Sequence, residues 1–261
     1  MIKILYSLIT ILGLFFSNAP WAQEKEIAII SMHGKWGAPP GPLAHFLQDA
    51  GFTVESPTMP WSRLRLYDVA YQDGLLEINT RVKQLKSRGY KKIVLLGHSF
   101  GANGVLAYTS QYHDIDAIVL IAPGHVPEIF YEYNRSTRDV VNARDMVASG
   151  RGKEAFSFTD PNSGNRSRTQ TATASIYLSY FDPEGLGNMP QSAARISKSM
   201  KAIPALLINS TEDNISKKGE HYIFNQLQAH PLSVFIVSQA GHMGAPEANK
   251  DEVLKFIKSL K

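Results

Sequence analysis

The chain has 261 residues, of which 44% are hydrophobic and 19% charged, with a formal net charge of +4. This apolar content is enough for the core of one domain, and it excludes global disorder, which requires low hydrophobicity and high net charge. The basic excess is small and spread along the sequence, which argues against nucleic acid as a partner. Because there is no cysteine, disulfides, thiolate metal sites, a cysteine nucleophile and a cysteine-linked lipid anchor are excluded.

The first 22 residues have the pattern of a secretory signal peptide. A basic residue, Lys3, precedes an apolar run over 4–17, and small residues follow up to Ala22. Cleavage is expected after Ala22 or, alternatively, after Ala19. The apolar run is shorter than the roughly 20 residues of a membrane span, which favours cleavage over an N-terminal membrane anchor. We therefore expect an exported protein, periplasmic or secreted, whose mature domain covers 23–261 without stable membrane insertion.

From residue 26 onward, short β-branched runs alternate with longer helical patterns. The runs are continuously apolar and end at glycine, proline or polar residues, as buried parallel strands do. They predict strands over 27–32, 52–56, 92–96, 117–122, 205–209 and 233–237. Apolar residues at helical spacing predict helices over 42–50, 70–88, 102–110 and 247–261. The alternation predicts an α/β fold: a mainly parallel sheet covered by helices on both faces.

The segment of about 125–203 breaks this alternation. It places about 80 residues between the fourth and fifth predicted strands, far more than the few that usually connect a strand to the next element. The segment is rich in Asn, Ser, Thr and Arg, with helical patches around 139–148 and 191–200. We expect an inserted cap over the carboxyl edge of the sheet; a surface insertion without a role at the site is the alternative.

A Gly-His-Ser-Phe-Gly run occupies 97–101, between the third predicted strand and a helical pattern. This is the context of a nucleophile elbow, in which a G-x-S-x-G turn lifts the serine hydroxyl above the sheet. The glycines are needed because the tight turn tolerates little side-chain bulk on either side of Ser99. The turn also places the Phe100 backbone N–H at a helix N-terminus, where it favours developing negative charge. Ser99 is the predicted nucleophile.

With this motif in place, the sequence resembles the α/β-hydrolase superfamily over 26–261, and in particular its cap-bearing, serine-aminopeptidase-like esterases. Members of that superfamily carry a catalytic triad in the order Ser, acid, His. The resemblance implies Asp213 as the acid, in a Ser-Thr-Glu-Asp turn after the fifth strand, with Glu212 as the alternative. It implies His242 as the base, in the Gly-His step after the sixth strand.

The loop after the first strand reads His-Gly-Lys-Trp-Gly over 33–37. It is more similar to the single His-Gly-x form of cap-bearing hydrolases than to the His-Gly-Gly-Gly of lipase-type esterases. The resemblance implies that the N–H of Lys35, or else of Trp36, is the second oxyanion-hole donor. His33 is expected to brace the loop. Trp36 and Trp61 either line an acyl pocket or pack as core aromatics.

These residues predict a serine hydrolase that cleaves a small-molecule carboxylic ester, or a thioester or amide, through an acyl-enzyme on Ser99. Two alternatives stay open: an acyltransferase on the same triad, and a non-catalytic binding protein of the cell envelope with the same fold. No cofactor or metal is expected, since the sequence has neither a His-Glu-x-x-His motif nor a Walker-type phosphate loop.

Overall fold

A computed structural model describes residues 26–162, 167–199, 201–211 and 219–261. The strands are β1 (Ile27–Met32), β2 (Thr53–Glu55), β3 (Lys92–His98), β4 (Ala117–Ile121), β5 (Ala155–Pro161), β6 (Ser167–Thr173), β7 (Ala205–Ser210) and β8 (Val234–Ser238). The helices are α1 (Pro42–Asp49), α2 (Tyr71–Ser87), α3 (Phe100–Tyr112), α4 (Pro127–Glu132), α5 (Thr137–Ala148), α6 (Ala174–Phe181), α7 (Met189–Ser199), α8 (Ala245–Ala248) and α9 (Lys250–Ser259). The signal-peptide prediction for residues 1–22, and the predicted acids Asp213 and Glu212, lie outside the described residues.

Six strands form one sheet in the order β2-β1-β3-β4-β7-β8, and every neighbouring pair is parallel. These are the six strands that the sequence predicts, with ends that differ by at most two residues. The central strands are buried along almost their whole length, which explains why they read as continuous apolar runs.

Helices cover both faces of this sheet. Side chains alternate along each strand, so Ile30 and Leu95 pack on one face with α2 and α3, whereas Ile29 and Val94 pack on the other with α1 and α9. The α/β class expected from the sequence is therefore confirmed. Within the described part of the chain, no helix has the length and hydrophobicity that crossing a membrane requires.

Between β4 and β7 the chain builds α4, α5, a β5–β6 hairpin, α6 and α7. We call residues 125–203 the insertion. The helical patches predicted at 139–148 and 191–200 correspond to α5 and α7, and α7 packs against α3. The antiparallel hairpin was not expected from the sequence. Much of β6 is exposed and its residues are mainly hydroxyl and polar types, so it lacks the apolar run that marked the other strands.

Candidate active site

Ser99 lies in a sharp turn between β3 and α3. Its backbone has φ 56° and ψ −119°, a conformation that costs a residue other than glycine about 1–3 kcal/mol. The flanking glycines are sterically required, as the sequence predicts. A Cβ on Gly97 would lie 2.2 Å from the Gly101 carbonyl carbon, and one on Gly101 would lie 2.1 Å from the Met32 carbonyl oxygen. The absence of a side chain at both positions therefore lets helix α3 begin directly against the end of β1.

His242 follows β8 and faces the turn. Its Nε2 lies 2.9 Å from the Ser99 Oγ, across 143 residues of sequence. The His98 ring holds this segment, since its Nε2–H donates to the His242 carbonyl at 2.9 Å. The end of β7 is fixed to the same loop, because the Ser210 hydroxyl donates to the Ala240 carbonyl at 2.5 Å. The structure thus brings together the predicted nucleophile and base.

Two glycines come close to the Ser99 side chain from opposite loops. A Cβ on Gly34, after β1, would lie 3.0 Å from the Ser99 Cβ and 3.5 Å from its Oγ. A Cβ on Gly124, after β4, would lie 2.8 Å from the Ser99 Oγ, and the Gly124 N–H donates to the Ser99 carbonyl at 3.0 Å. The adjacent Phe100 begins α3, so its N–H has no partner within the helix.

His33 braces the loop after β1. Its Nε2 accepts the Met59 N–H at 3.1 Å, so the proton is on Nδ1, which donates to the Gly34 carbonyl at 2.7 Å. Burial lowers the pKa of His33, which favours this neutral form. The Gly37 N–H donates to the same carbonyl at 3.1 Å. Because the N–H of a trans peptide points away from its carbonyl, these two bonds fix the direction of the Lys35 N–H.

The two candidate donors of this loop differ in availability. The Trp36 N–H donates to the Trp61 carbonyl at 2.8 Å and is therefore occupied. Among the described residues, the Lys35 N–H has no hydrogen-bond acceptor. Trp36 also has φ 56°, so the backbone reverses direction immediately after Lys35. Of the two, Lys35 is the residue whose N–H is left for a ligand.

The two tryptophans lie outside the cavity beside Ser99, which disagrees with the pocket interpretation made from the sequence. Trp61 is 0% exposed and stacks on Phe100 with ring centroids 4.4 Å apart. Its Nε1–H donates to the His33 carbonyl at 2.8 Å, which holds the indole in the core behind the elbow. Trp36 is half-buried beneath the Arg168 guanidinium, 3.9 Å from the ring centroid. Neither residue contributes to the cavity beside Ser99.

A cavity of about 830 Å³ opens beside Ser99 and His242. Its wall comes from the loop after β1, the start of α1 and the loop after β8. Among the described residues that line it, Lys35 and Glu247 carry the charges, and each is paired, with Asp160 and Lys250 respectively. The cavity therefore offers no free charge of either sign from these side chains.

Sequence reasoning missed Asp160, a 0% exposed carboxylate on β5. It accepts from the Lys35 Nζ at 2.5 Å, the Trp36 Nε1 at 3.0 Å and the Tyr67 hydroxyl at 2.9 Å. Burial lowers the pKa of Lys35, and Asp160 opposes that shift. Burial, reinforced by Asp160, raises the pKa of Tyr67. No local pattern around Asp160 connects it with a loop 125 residues earlier, so no sequence signal marked it.

His125 is a second buried group that the sequence did not mark. Its ring stacks on Phe100 at a centroid distance of 3.7 Å, and its Nε2–H donates to the Tyr180 carbonyl at 2.8 Å. Burial lowers its pKa well below the usual value, and the nearby Lys35 charge adds to this. The imidazole is therefore neutral near pH 7 and serves as a packing element behind the turn.

A family model described as the alpha/beta hydrolase fold matches residues 50–248. The match covers more than half of the chain, which therefore belongs to the α/β-hydrolase family. Comparison with curated proteins finds no match to the sequence.

Solved structures share the fold at low identity. A monoacylglycerol lipase from Paleococcus ferrophilus is 18% identical with a TM-score of 0.62, over 91% of this chain and 96% of that chain. A metagenome-derived structure reported with the lipolytic enzymes LipS and LipT is 15% identical with a TM-score of 0.62, over 90% and 95%. Est1E from Butyrivibrio proteoclasticus is 16% identical with a TM-score of 0.56, over 91% and 90%. At such identities the similarity establishes the fold.

Proposed function

We propose that this protein is a serine hydrolase that cleaves a small-molecule carboxylic ester, or a thioester or amide, through an acyl-enzyme on Ser99. The observation that carries the proposal is the 2.9 Å contact between the Ser99 Oγ and the His242 Nε2 at a strained strand–helix turn. A serine hydroxyl is a weak nucleophile unless a base lies within hydrogen-bond reach. Maintaining a backbone strained by about 1–3 kcal/mol at that serine is typical of functional turns.

In the proposed reaction, the Ser99 Oγ attacks the carbonyl carbon while the His242 Nε2 takes up the hydroxyl proton. The carbonyl oxygen becomes an anion that accepts from the N–H groups of Phe100 and Lys35, each worth about 3 kcal/mol in the barrier. Collapse of this intermediate breaks the bond to the leaving group, which receives the proton from His242. Water, deprotonated by the same imidazole, then releases the acyl group and restores Ser99.

We assign the acid of the triad to Asp213, with Glu212 as the alternative. The assignment is supported by chain order and by the position of β7, whose last residue, Ser210, is bonded to the His242 loop. The expected result is that D213N lowers kcat by about 10⁴-fold, because the carboxylate orients the imidazole and stabilises its charged form. Steady-state kinetics of D213N and the matched variant E212Q would test this. A large loss in E212Q alone would move the role to Glu212.

We infer that the substrate is uncharged near the bond that is cleaved. The inference is supported by the pairing of Lys35 and Glu247, the two charged side chains among the described residues that line the cavity. A charged substrate group there would lose hydration without gaining an unpaired opposite charge from these side chains, which is unfavourable. The alternatives to ester hydrolysis differ in the fate of the serine: an acyltransferase would pass the acyl group from Ser99 to an alcohol, and a binding protein would not be acylated.

The experiment is a panel of nitrophenyl esters, thioesters and aminoacyl anilides, tested on wild type, S99A and H242Q. We expect turnover by wild type and a loss in both variants of about 10³-fold or more. S110A is the matched control, since this serine lies in α3 and its hydroxyl donates within the helix, to the Ala107 carbonyl at 2.8 Å. Turnover that persists in S99A, or a folded wild type that cleaves none of the panel, would contradict the proposal.

We also propose that the protein is exported, on the basis of the charge and hydropathy pattern of residues 1–22. N-terminal sequencing of protein recovered from a host with an intact secretion pathway is expected to begin at Gln23, or at Pro20 for the alternative cut. Recovery with Met1 retained and the protein in the membrane fraction would indicate an anchor instead.

A further inference from the structure

The Asp160 carboxylate holds two consecutive residues of the loop after β1. It binds the ammonium group of Lys35 and the indole N–H of Trp36, and the Lys35 Nζ also donates to the Pro161 carbonyl at 2.7 Å. The side chains of Lys35 and Asp160 are 3% and 0% exposed. One buried carboxylate of the insertion thus fixes two neighbouring side chains of a loop that the insertion does not include.

This contact has little value as a source of net stability. Removing a carboxylate and an ammonium from water is unfavourable, and their mutual attraction in the interior roughly offsets that cost. Replacing such a pair by neutral groups of similar size is often neutral for stability. The pair instead fixes the orientation of the loop, because a charged contact at 2.5 Å together with a second hydrogen bond permits few orientations.

This orientation matters because the peptide that joins Gly34 to Lys35 carries the proposed oxyanion donor. On one side of this peptide, His33 and the Gly37 N–H hold the Gly34 carbonyl. On the other side of the peptide, the Lys35 ammonium group binds the Asp160 carboxylate. The peptide is therefore held from both ends, while the next residue, Trp36, has a positive φ of 56° that the unaided chain would not favour.

Asp160 belongs to a part of the insertion that is itself held in place. β5 pairs with β6 over its whole length. The Tyr177 hydroxyl of α6 donates to the Thr159 carbonyl at 2.9 Å, next to Asp160. The Tyr67 hydroxyl, outside the insertion, donates to Asp160 from a third direction. The position of the insertion therefore determines where the Asp160 carboxylate holds the loop after β1.

We propose that Asp160 is a positioning residue for the oxyanion hole: by holding the side chains of Lys35 and Trp36 it aims the Lys35 N–H, so that the hole is complete only when the insertion is docked. This rests on the proposed function, because it assigns a role to the second donor of that reaction. The insertion then contributes to the chemical step as well as to the surroundings of the substrate.

The test compares wild type, D160N, the double variant K35M/D160N, and D182N. Asp182 is the matched control: it is a carboxylate of the same insertion that is also paired with a cation, the Arg144 guanidinium at 2.7 Å, and among the described residues it has no hydrogen bond to β5 or to the loop after β1. Steady-state kinetics give kcat and KM separately. Hydrogen exchange of the backbone amides at 34–36 reports on the loop without requiring activity, and circular dichroism verifies folding.

We expect D160N and K35M/D160N to lose about 10- to 100-fold in kcat with KM within about twofold of wild type, because an oxyanion exists only during the reaction. Amide exchange at 34–36 should accelerate in both variants, whereas D182N should match wild type in kcat. A double variant that regains the wild-type kcat would overturn the proposal, since the effect of D160N would then come from an unpaired buried ammonium group. Unchanged amide exchange in both Asp160 variants would overturn it too. If wild type cleaves no substrate, the proposed function fails, and amide exchange alone decides whether Asp160 holds the loop.

Discussion

At the scale of single residues, the site depends on how little space the loops after β1 and β4 leave beside the Ser99 side chain. Ser99 is 7% exposed, and its Oγ lies 2.9 Å from the His242 Nε2. Gly124 limits that space from the loop after β4, since any side chain there would approach the Oγ to 2.8 Å. The requirement at this position is steric, because the φ of Gly124 is not in the left-handed region.

We therefore expect G124A to lower kcat/KM by about a hundredfold, because the added methyl group turns the Ser99 hydroxyl away from His242. The Ala backbone is unstrained there, so the midpoint of thermal unfolding should change by only a few degrees. Ester kinetics and a thermal melt on the same preparation measure both quantities. Wild-type kcat/KM in G124A would contradict this account of the turn.

At the scale of elements, the loop after β1 is held by contacts that reach far along the chain. The Trp61 indole supports this loop, because it stacks on Phe100 and donates a hydrogen bond to the His33 carbonyl. The donor role of the loop was implied by the resemblance of its His-Gly step to a family pattern, and His33 was expected to brace the loop. The sequence left Trp61 open between pocket and core, because an aromatic residue is equally compatible with both until its neighbours are known.

The substitution W61F tests this support. It keeps an aromatic ring but removes the N–H, so it leaves the buried His33 carbonyl without its donor, and we expect a loss of about 1–3 kcal/mol in the free energy of unfolding. Urea denaturation monitored by circular dichroism measures the change. The control Y133F alters a largely exposed side chain and should fall within about 0.5 kcal/mol of wild type. A W61F protein as stable as wild type would contradict the role given to the indole.

The contrast between predicted and unpredicted elements has a physical reason. The sheet was predictable because its strands are buried on both faces and so consist of unbroken apolar residues, as in Ala117–Ile121. The β5–β6 hairpin was not, because its strand Ser167–Thr173 is half exposed and carries hydroxyl and basic side chains. Asp160 was not predicted for a further reason. Its partners lie on segments far away in the sequence, and a local pattern contains no information about such contacts.

At the scale of the whole molecule, stability should depend on pH through two buried histidines. Burial lowers the pKa of His125, strongly, and of His33. Both are therefore neutral when folded, whereas the unfolded chain binds their protons below about pH 6.5. The unfolded state then holds more protons than the folded state. The stability that depends on the two neutral histidines is therefore complete above about pH 6.5, and it is lost as the pH falls toward their folded-state pKa values.

We expect the free energy of unfolding to fall by up to about 1.4 kcal/mol per pH unit for each of these histidines as the pH drops below about 6.5. H125Q keeps a donor for the Tyr180 carbonyl but does not titrate. It should therefore remove the contribution of one proton from this slope, up to about 1.4 kcal/mol per pH unit. H45Q, at an exposed site, controls for the loss of an imidazole as such. Urea denaturation from about pH 7.5 to about pH 5 measures the slope, and equal slopes in H125Q and wild type would contradict the account.

The central claim is that Ser99, activated by His242, is the nucleophile. The most direct measurement is the mass of the intact protein after treatment with a fluorophosphonate, followed by peptide mapping. We predict a single adduct on the peptide that contains Ser99, absent from S99A and formed at least about a hundredfold more slowly in H242Q. A folded wild-type protein that gains no mass, or gains it at another residue, would contradict the claim.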